Sequence, residues 1–196
     1  LSSSSAASDV YKRQGFFDAI MIRYTTKPMI LRPHQNRASS AMETHDKGQV
    51  VMTTGGGKTL AMIADAIKKF TDSVPQTIVV VAPRIMLAEQ LSAEFLEHIT
   101  NASVMHVHSG ETHHYSTTNP SKIFAWNYQV KGHKLIFTTY HSLIQIQRSG
   151  IDVHTIYFDE AHNSVQRHFF EPTKYFSNHA KPVSYTHLRA HETEAD

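Results

Sequence analysis

Residues 77–82 read Thr-Ile-Val-Val-Val-Ala, an apolar run without a polar alternate. Such a run is the pattern of a strand buried on both faces, as in a parallel sheet covered by helices. Shorter β-rich runs lie at 49–53, 103–107, 134–138 and 153–158. Between them the period changes. Residues 60–70, Leu-Ala-Met-Ile-Ala-Asp-Ala-Ile-Lys-Lys-Phe, place apolar side chains at helical intervals. They end near two lysines, Lys68 and Lys69, read as a solvated helix end that complements the dipole. Pro75 breaks the chain, and helical spacing resumes after Pro83 over 85–99. A third helix candidate covers 140–148, and the polar stretch 110–120 reads as a loop. Strands alternating with helices predict an α/β domain with a mostly parallel sheet.

Composition narrows the setting. The chain has 196 residues, 40% of them hydrophobic, enough for one sizeable core. It has no cysteine, which excludes disulfides and thiolate metal sites. No apolar run approaches the about 20 residues that span a bilayer, so no membrane partner is expected. An intracellular setting is expected, cytoplasmic or in host cytoplasm if phage-encoded. The formal charge of +2 neither demands nor forbids nucleic acid.

The two ends read as artificial. Asp9-Val10-Tyr11-Lys12-Arg13-Gln14 back-translates to a DNA whose reverse complement, in another frame, encodes Val183-Ser184-Tyr185-Thr186-His187-Leu188. That DNA resembles a transposase sequencing adapter. The expectation is therefore artificial tails at 1–14 and 183–196, both outside the packed core, around a single domain at 15–182. Without the tails 16 basic and 13 acidic residues remain, a charge of +3.

Candidate chemistry starts at Thr53-Thr54-Gly55-Gly56-Gly57-Lys58-Thr59, between a predicted strand and a predicted helix. Consecutive glycines let backbone N–H groups turn toward an anion, and the helix dipole adds favourable potential. Lys58 can neutralise terminal phosphates, and the Thr59 hydroxyl is placed to ligate Mg²⁺. The first glycine of the usual phosphate-loop pattern is Met52 here, and a plain Gly-rich turn is the alternative. A second element, Ile156-Tyr157-Phe158-Asp159-Glu160-Ala161-His162, is an apolar run ending in two acids. In a parallel sheet its end shares an edge with the glycine loop. Asp159 there can hold Mg²⁺ and Glu160 can polarise water; alone, the pair could equally be a helix cap.

Asp159-Glu160-Ala161-His162 resembles the DEAD/DEAH-box group of superfamily 2 helicases and translocases. The likeness extends to Leu31-Arg32-Pro33-His34-Gln35, to Thr54 through Thr59, to Ala82-Pro83-Arg84 with Leu87 and Gln90, and to Phe137-Thr138-Thr139-Tyr140. It implies a P-loop NTPase fold: the first RecA-like three-layer α/β/α domain of an ATP-dependent motor on nucleic acid, DNA more than RNA. By the resemblance ATP and Mg²⁺ are the cofactors, and Gln35 contacts adenine. Thr54, Gly55, Gly56, Gly57, Lys58 and Thr59 bind phosphate, and Thr59 and Asp159 hold Mg²⁺. Lys58, Asp159 and Glu160 are catalytic. Arg84, Thr138 and Thr139 border the nucleic-acid backbone, and His162 couples nucleotide state to a second domain. The Leu-Arg-Pro-x-Gln start and Val107-His108-Ser109-Gly110 are most similar to phage or type III restriction helicase subunits. A Ser-Ala-Thr-like third motif and the second RecA-like domain, with its arginine fingers, are not reached by residue 182, so the chain alone is expected to be inactive. A restriction motor and a nucleotide-binding regulatory module are the alternatives.

Other features read as structural. His106, His108, His113 and His114 match no metal spacing and are expected to be exposed or packing histidines. Phe124, Trp126 and Tyr128 could stack on bases, but alternating aromatics near a strand are expected in the core.

Overall fold

A computed structural model of the chain describes residues 29–53, 55–165, 169–179 and 183–188. The elements are α1 (Pro33–Thr44), β1 (Lys47–Met52), α2 (Lys58–Lys69), β2 (Thr77–Ala82), α3 (Ile85–Leu96), β3 (Ala102–Val107), α4 (Pro120–Gln129) and β4 (His133–Thr139). They continue with α5 (Leu143–Ser149), β5 (Thr155–Phe158), a 3₁₀ turn (Ala161–Val165), α6 (Phe170–His179) and β6 (Val183–Leu188). The strands form one six-stranded sheet in the order β1-β6-β5-β2-β4-β3, and every pairing is parallel.

The apolar run at 77–82 becomes β2, buried at all positions. Its residues divide between two layers. Ile78, Val80 and Ala82 pack with Met42 of α1, Met62 and Ile67 of α2 and Phe95 of α3. Val79 and Val81 pack on the other face with Ile123 of α4, Ile146 of α5 and Phe176 of α6. A strand with two buried faces cannot alternate apolar with polar, which is why this run was continuous.

Helix α4 follows the stretch read as a loop, at residues to which the sequence pattern assigned no element. Asn119 caps it, its side chain accepting from Ser121 N at 2.9 Å and Lys122 N at 3.2 Å, with Pro120 at the first helical position. The aromatics therefore lie on a helix, and two of them correct the core expectation: Phe124 is 52% and Tyr128 69% exposed. Trp126 is partly buried against the second layer.

The larger correction concerns the C-terminal tail. Val183–Leu188 was expected outside the packed core, yet it lies inside the sheet as β6, paired with β1 from Lys47↔Val183 to Met52↔Leu188 and with β5 from Ile156↔Val183. A slot between two parallel strands offers a full ladder of donors and acceptors, and a segment with Val, Tyr and Thr has the propensity to fill it whatever its origin. Residues 1–14 and 189–196 lie outside the described residues.

Candidate nucleotide site

Because the sheet is parallel, the C-terminal ends of β1, β2, β4 and β5 meet one edge; the candidates after β1, β2 and β5 leave the sheet there, Thr138 and Thr139 close β4, and Gln35 reaches the loop from α1. The loop after β1 turns through Gly55 at φ 72° and Gly57 at φ 76° into α2. Gly57 has a second constraint: a Cβ there would collide with the Gln35 side-chain amide. Lys58 and Thr59 are the first two residues of α2, where free backbone N–H groups favour an anion. Thr54 lies outside the described residues.

Lys58 Nζ donates to Glu160 Oε1 at 3.0 Å, so the glycine loop and the acidic strand end touch across 102 residues of sequence. Asp159 directly follows β5, half-buried, its N–H donating to Val81 O (2.9 Å) and its carbonyl accepting from Tyr140 Oη (2.9 Å). Glu160 takes a left-handed backbone, φ 50°, held where Asn163 N and Asn163 Nδ2 both donate to its carbonyl at 2.9 Å. Among the described residues Glu160 Oε2 is buried with no hydrogen bond; His162 Nδ1 stands 3.5 Å away, within charge-pair reach only. His162 itself is largely exposed in the 3₁₀ turn.

Gln35 is 2% exposed, and its amide is committed to the loop. Nε2 donates to Gly56 O at 3.0 Å and Oε1 accepts from Arg32 N at 2.8 Å. His34, not among the candidates, also meets Gly56 O with its Nε2 at 2.9 Å. Its signal was adjacency to Gln35 alone. Arg84 is exposed at the N-cap of α3. Thr138 is fully buried, its hydroxyl donating to Val107 O at 2.8 Å, and Thr139 is nearly so, its hydroxyl accepting from Ser142 N at 3.3 Å. The structure thus gathers Gln35, Lys58 and Glu160, whereas the two threonines turn their hydroxyls inward.

The histidines form a separate cluster. His106 and His108 are buried beside Glu89 of α3, and His114 stacks on His106 at 5.3 Å between centroids. Burial pushes His106 down to about 4, against the upward pull of Glu89.

A parallel sheet with a glycine loop, its lysine and an acidic strand end at one edge defines a RecA-like P-loop fold. Solved structures share the fold. A nuclease-deletion mutant of the Type ISP restriction-modification enzyme LlaGI in complex with a DNA substrate mimic is 22% identical, with TM-score 0.68 over 85% of this chain and 19% of that one. The UvsW helicase from bacteriophage T4 is 13% identical, TM-score 0.63, over 88% of this chain and 59% of its own. The Sulfolobus solfataricus SWI2/SNF2 ATPase core in complex with dsDNA is 20% identical, TM-score 0.60, over 85% and 33%. The chain belongs to the ResIII family, described as type III restriction enzyme, res subunit, which it matches over residues 28–186. No curated protein matches it significantly.

Proposed function

We propose that the chain is the ATP-binding half of an ATP-dependent superfamily 2 helicase or translocase that moves along DNA inside the cell. The Lys58–Glu160 pair carries the reading, because it joins the phosphate-binding element to the acidic one in a single site. The buried, unbonded Glu160 Oε2 fits the assignment: an acceptor of that kind is stable where a polar ligand completes it.

Phosphate arriving at the α2 N-terminus competes with Glu160 for the Lys58 ammonium. Once Lys58 turns to the phosphates, the Glu160 carboxylate is free to orient and deprotonate the attacking water. Thr59 and Asp159 would hold Mg²⁺, which supplies positive charge against the transferring phosphate. Gln35, which bridges Arg32 and the loop, exchanges its Gly56 bond for adenine and so reports an occupied loop. Arg84, with the backbone around Thr138 and Thr139, would border the nucleic acid, and His162 would face a second RecA-like domain. DNA is favoured because the similar LlaGI and SWI2/SNF2 structures contain DNA. A second reading, the motor portion of a restriction endonuclease, is favoured by the family description.

The chain alone is expected to show little DNA-stimulated ATP turnover, since a trans arginine is worth about 10³–10⁵ in rate in related sites. Joining a second RecA-like domain downstream should restore turnover. In that longer protein Glu160→Gln abolishes hydrolysis while nucleotide binding survives. Robust turnover by the chain alone, or by the Glu160→Gln protein, would contradict the proposal.

A further inference from the structure

Outside the nucleotide edge, three metal-ligating atoms meet at one point. Glu89 Oε1 lies 2.9 Å from His106 Nδ1 and 3.0 Å from His108 Nε2, and those two nitrogens are 3.0 Å apart. His106 and His108 share a face because side chains alternate along β3 and its extension, while Glu89 comes from the second turn of α3.

Protons cannot satisfy this triangle. Each nitrogen can offer one N–H, so at most two of the three edges become hydrogen bonds. The third sets N–H against N–H or lone pair against lone pair. The directions are also wrong: Glu89 Oε1 is buried and receives no hydrogen bond despite the short contacts. A cation above the triangle satisfies all three atoms together. Zinc at its usual 2.0–2.1 Å from nitrogen or oxygen separates tetrahedral ligands by about 3.3 Å. Each edge would then open by only a few tenths of an ångström.

We propose that Glu89, His106 and His108 form a zinc site that ties β3 to the start of α3. Two imidazoles and one carboxylate are a borderline donor set, suited to zinc and poor for Mg²⁺, which prefers oxygen. The outer contacts hold two of the ligands. Thr112 Oγ1 donates to Glu89 Oε2 at 3.1 Å, and Ser92 Oγ meets His106 Nε2 at 3.0 Å, leaving Nδ1 free to ligate. His108 must change tautomer. Its Nδ1 now accepts from Gly110 N at 3.2 Å, so the ring proton sits on Nε2; ligation moves that proton to Nδ1 and turns the Gly110 contact away. Water completes the tetrahedron. The site lies beyond the nucleotide residues, and its test needs no ATP.

The test is zinc titration of the whole chain against a chromophoric chelator, with metal content measured after desalting. One equivalent should remain bound, a chelator should remove it, and millimolar Mg²⁺ should not displace it. Glu89→Gln, at a partly exposed position, should weaken zinc by more than about 100-fold, beyond the 10–100-fold carried by outer partners. Its circular dichroism in chelator should match the parent. Zinc should raise the parent's Tm and leave that of Glu89→Gln unmoved. Absence of a retained equivalent, or affinity unchanged in both Glu89→Gln and His108→Gln, would overturn the site by assigning any binding to the other histidines.

Discussion

Glu160 combines two costs that a purely structural residue would shed. Its left-handed backbone costs a non-glycine residue on the order of 1–2 kcal/mol, and one of its carboxylate oxygens is buried without a hydrogen bond. Lys58 and Asn163 hold it there, which suits a group that must be positioned before its ligand arrives. A different residue adds to acid sensitivity. His133 Nδ1 accepts from Gln76 N at 3.1 Å, a bond that needs a bare nitrogen. Burial pushes its pKa below 6.5, outweighing the pull of Asp72. The unfolded chain therefore binds this proton more readily than the folded one. The His133 contribution is full above about 6.5 and is lost as pH falls below it. His133→Gln should thus lose less Tm than the parent between pH 7.5 and 5.5, as thermal melts at both values would reveal. Equal losses would show that His133 titrates without consequence.

At the scale of elements, β1 is the weak member. It carries the glycine loop, yet among the described residues its one neighbour in the sheet is β6. The strand that leads into the glycine loop is thus joined to the rest of the sheet through the segment whose back-translation resembles an adapter. A chain ending at residue 182 would leave β1 without its ladder and β5 open on one side. We expect such a chain to have a lower Tm and to lose hydrogen-exchange protection at Val50, Val51 and Met52, with β2 and β4 little changed. Unchanged protection would mean that β1 is held by α1 alone. The same scale shows what could be read in advance. The strand at 77–82 was legible to the residue because burial on both faces leaves no polar alternate. Helix α1 was not, since it buries Gln35 and Ser39 along with Met42 and has no apolar stripe. Helix α4 had a legible start in Asn119-Pro120, but Phe124 and Tyr128 face outward and obscure its period. No composition signal could reveal that β6 fills a slot, because pairing is a property of the sheet and not of the six residues.

In the whole molecule, the parallel sheet turns distant sequence into one edge. Lys58 and Glu160 were readable as partners because each ends a predicted strand or opens a predicted helix, and topology allows them one meeting place. The Glu89–His106–His108 cluster was not, since its carboxylate comes from a helix whose rotation about its own axis the sequence does not state. Gln35 was named for adenine, but its bonds to the loop backbone appear only once α1 is packed. The central claim is that the glycine loop and the acidic strand end make a single nucleotide site. Equilibrium titration of the chain with a fluorescent ATP analogue and Mg²⁺ tests it most directly, comparing the parent with Lys58→Ala and Glu160→Gln. Lys58→Ala should weaken binding at least about tenfold, the loss of about 1.4 kcal/mol expected of a charge-assisted phosphate contact. Glu160→Gln should bind as tightly as the parent or more so, since it releases Lys58 from its ion pair. Parent-like affinity in Lys58→Ala would contradict the account.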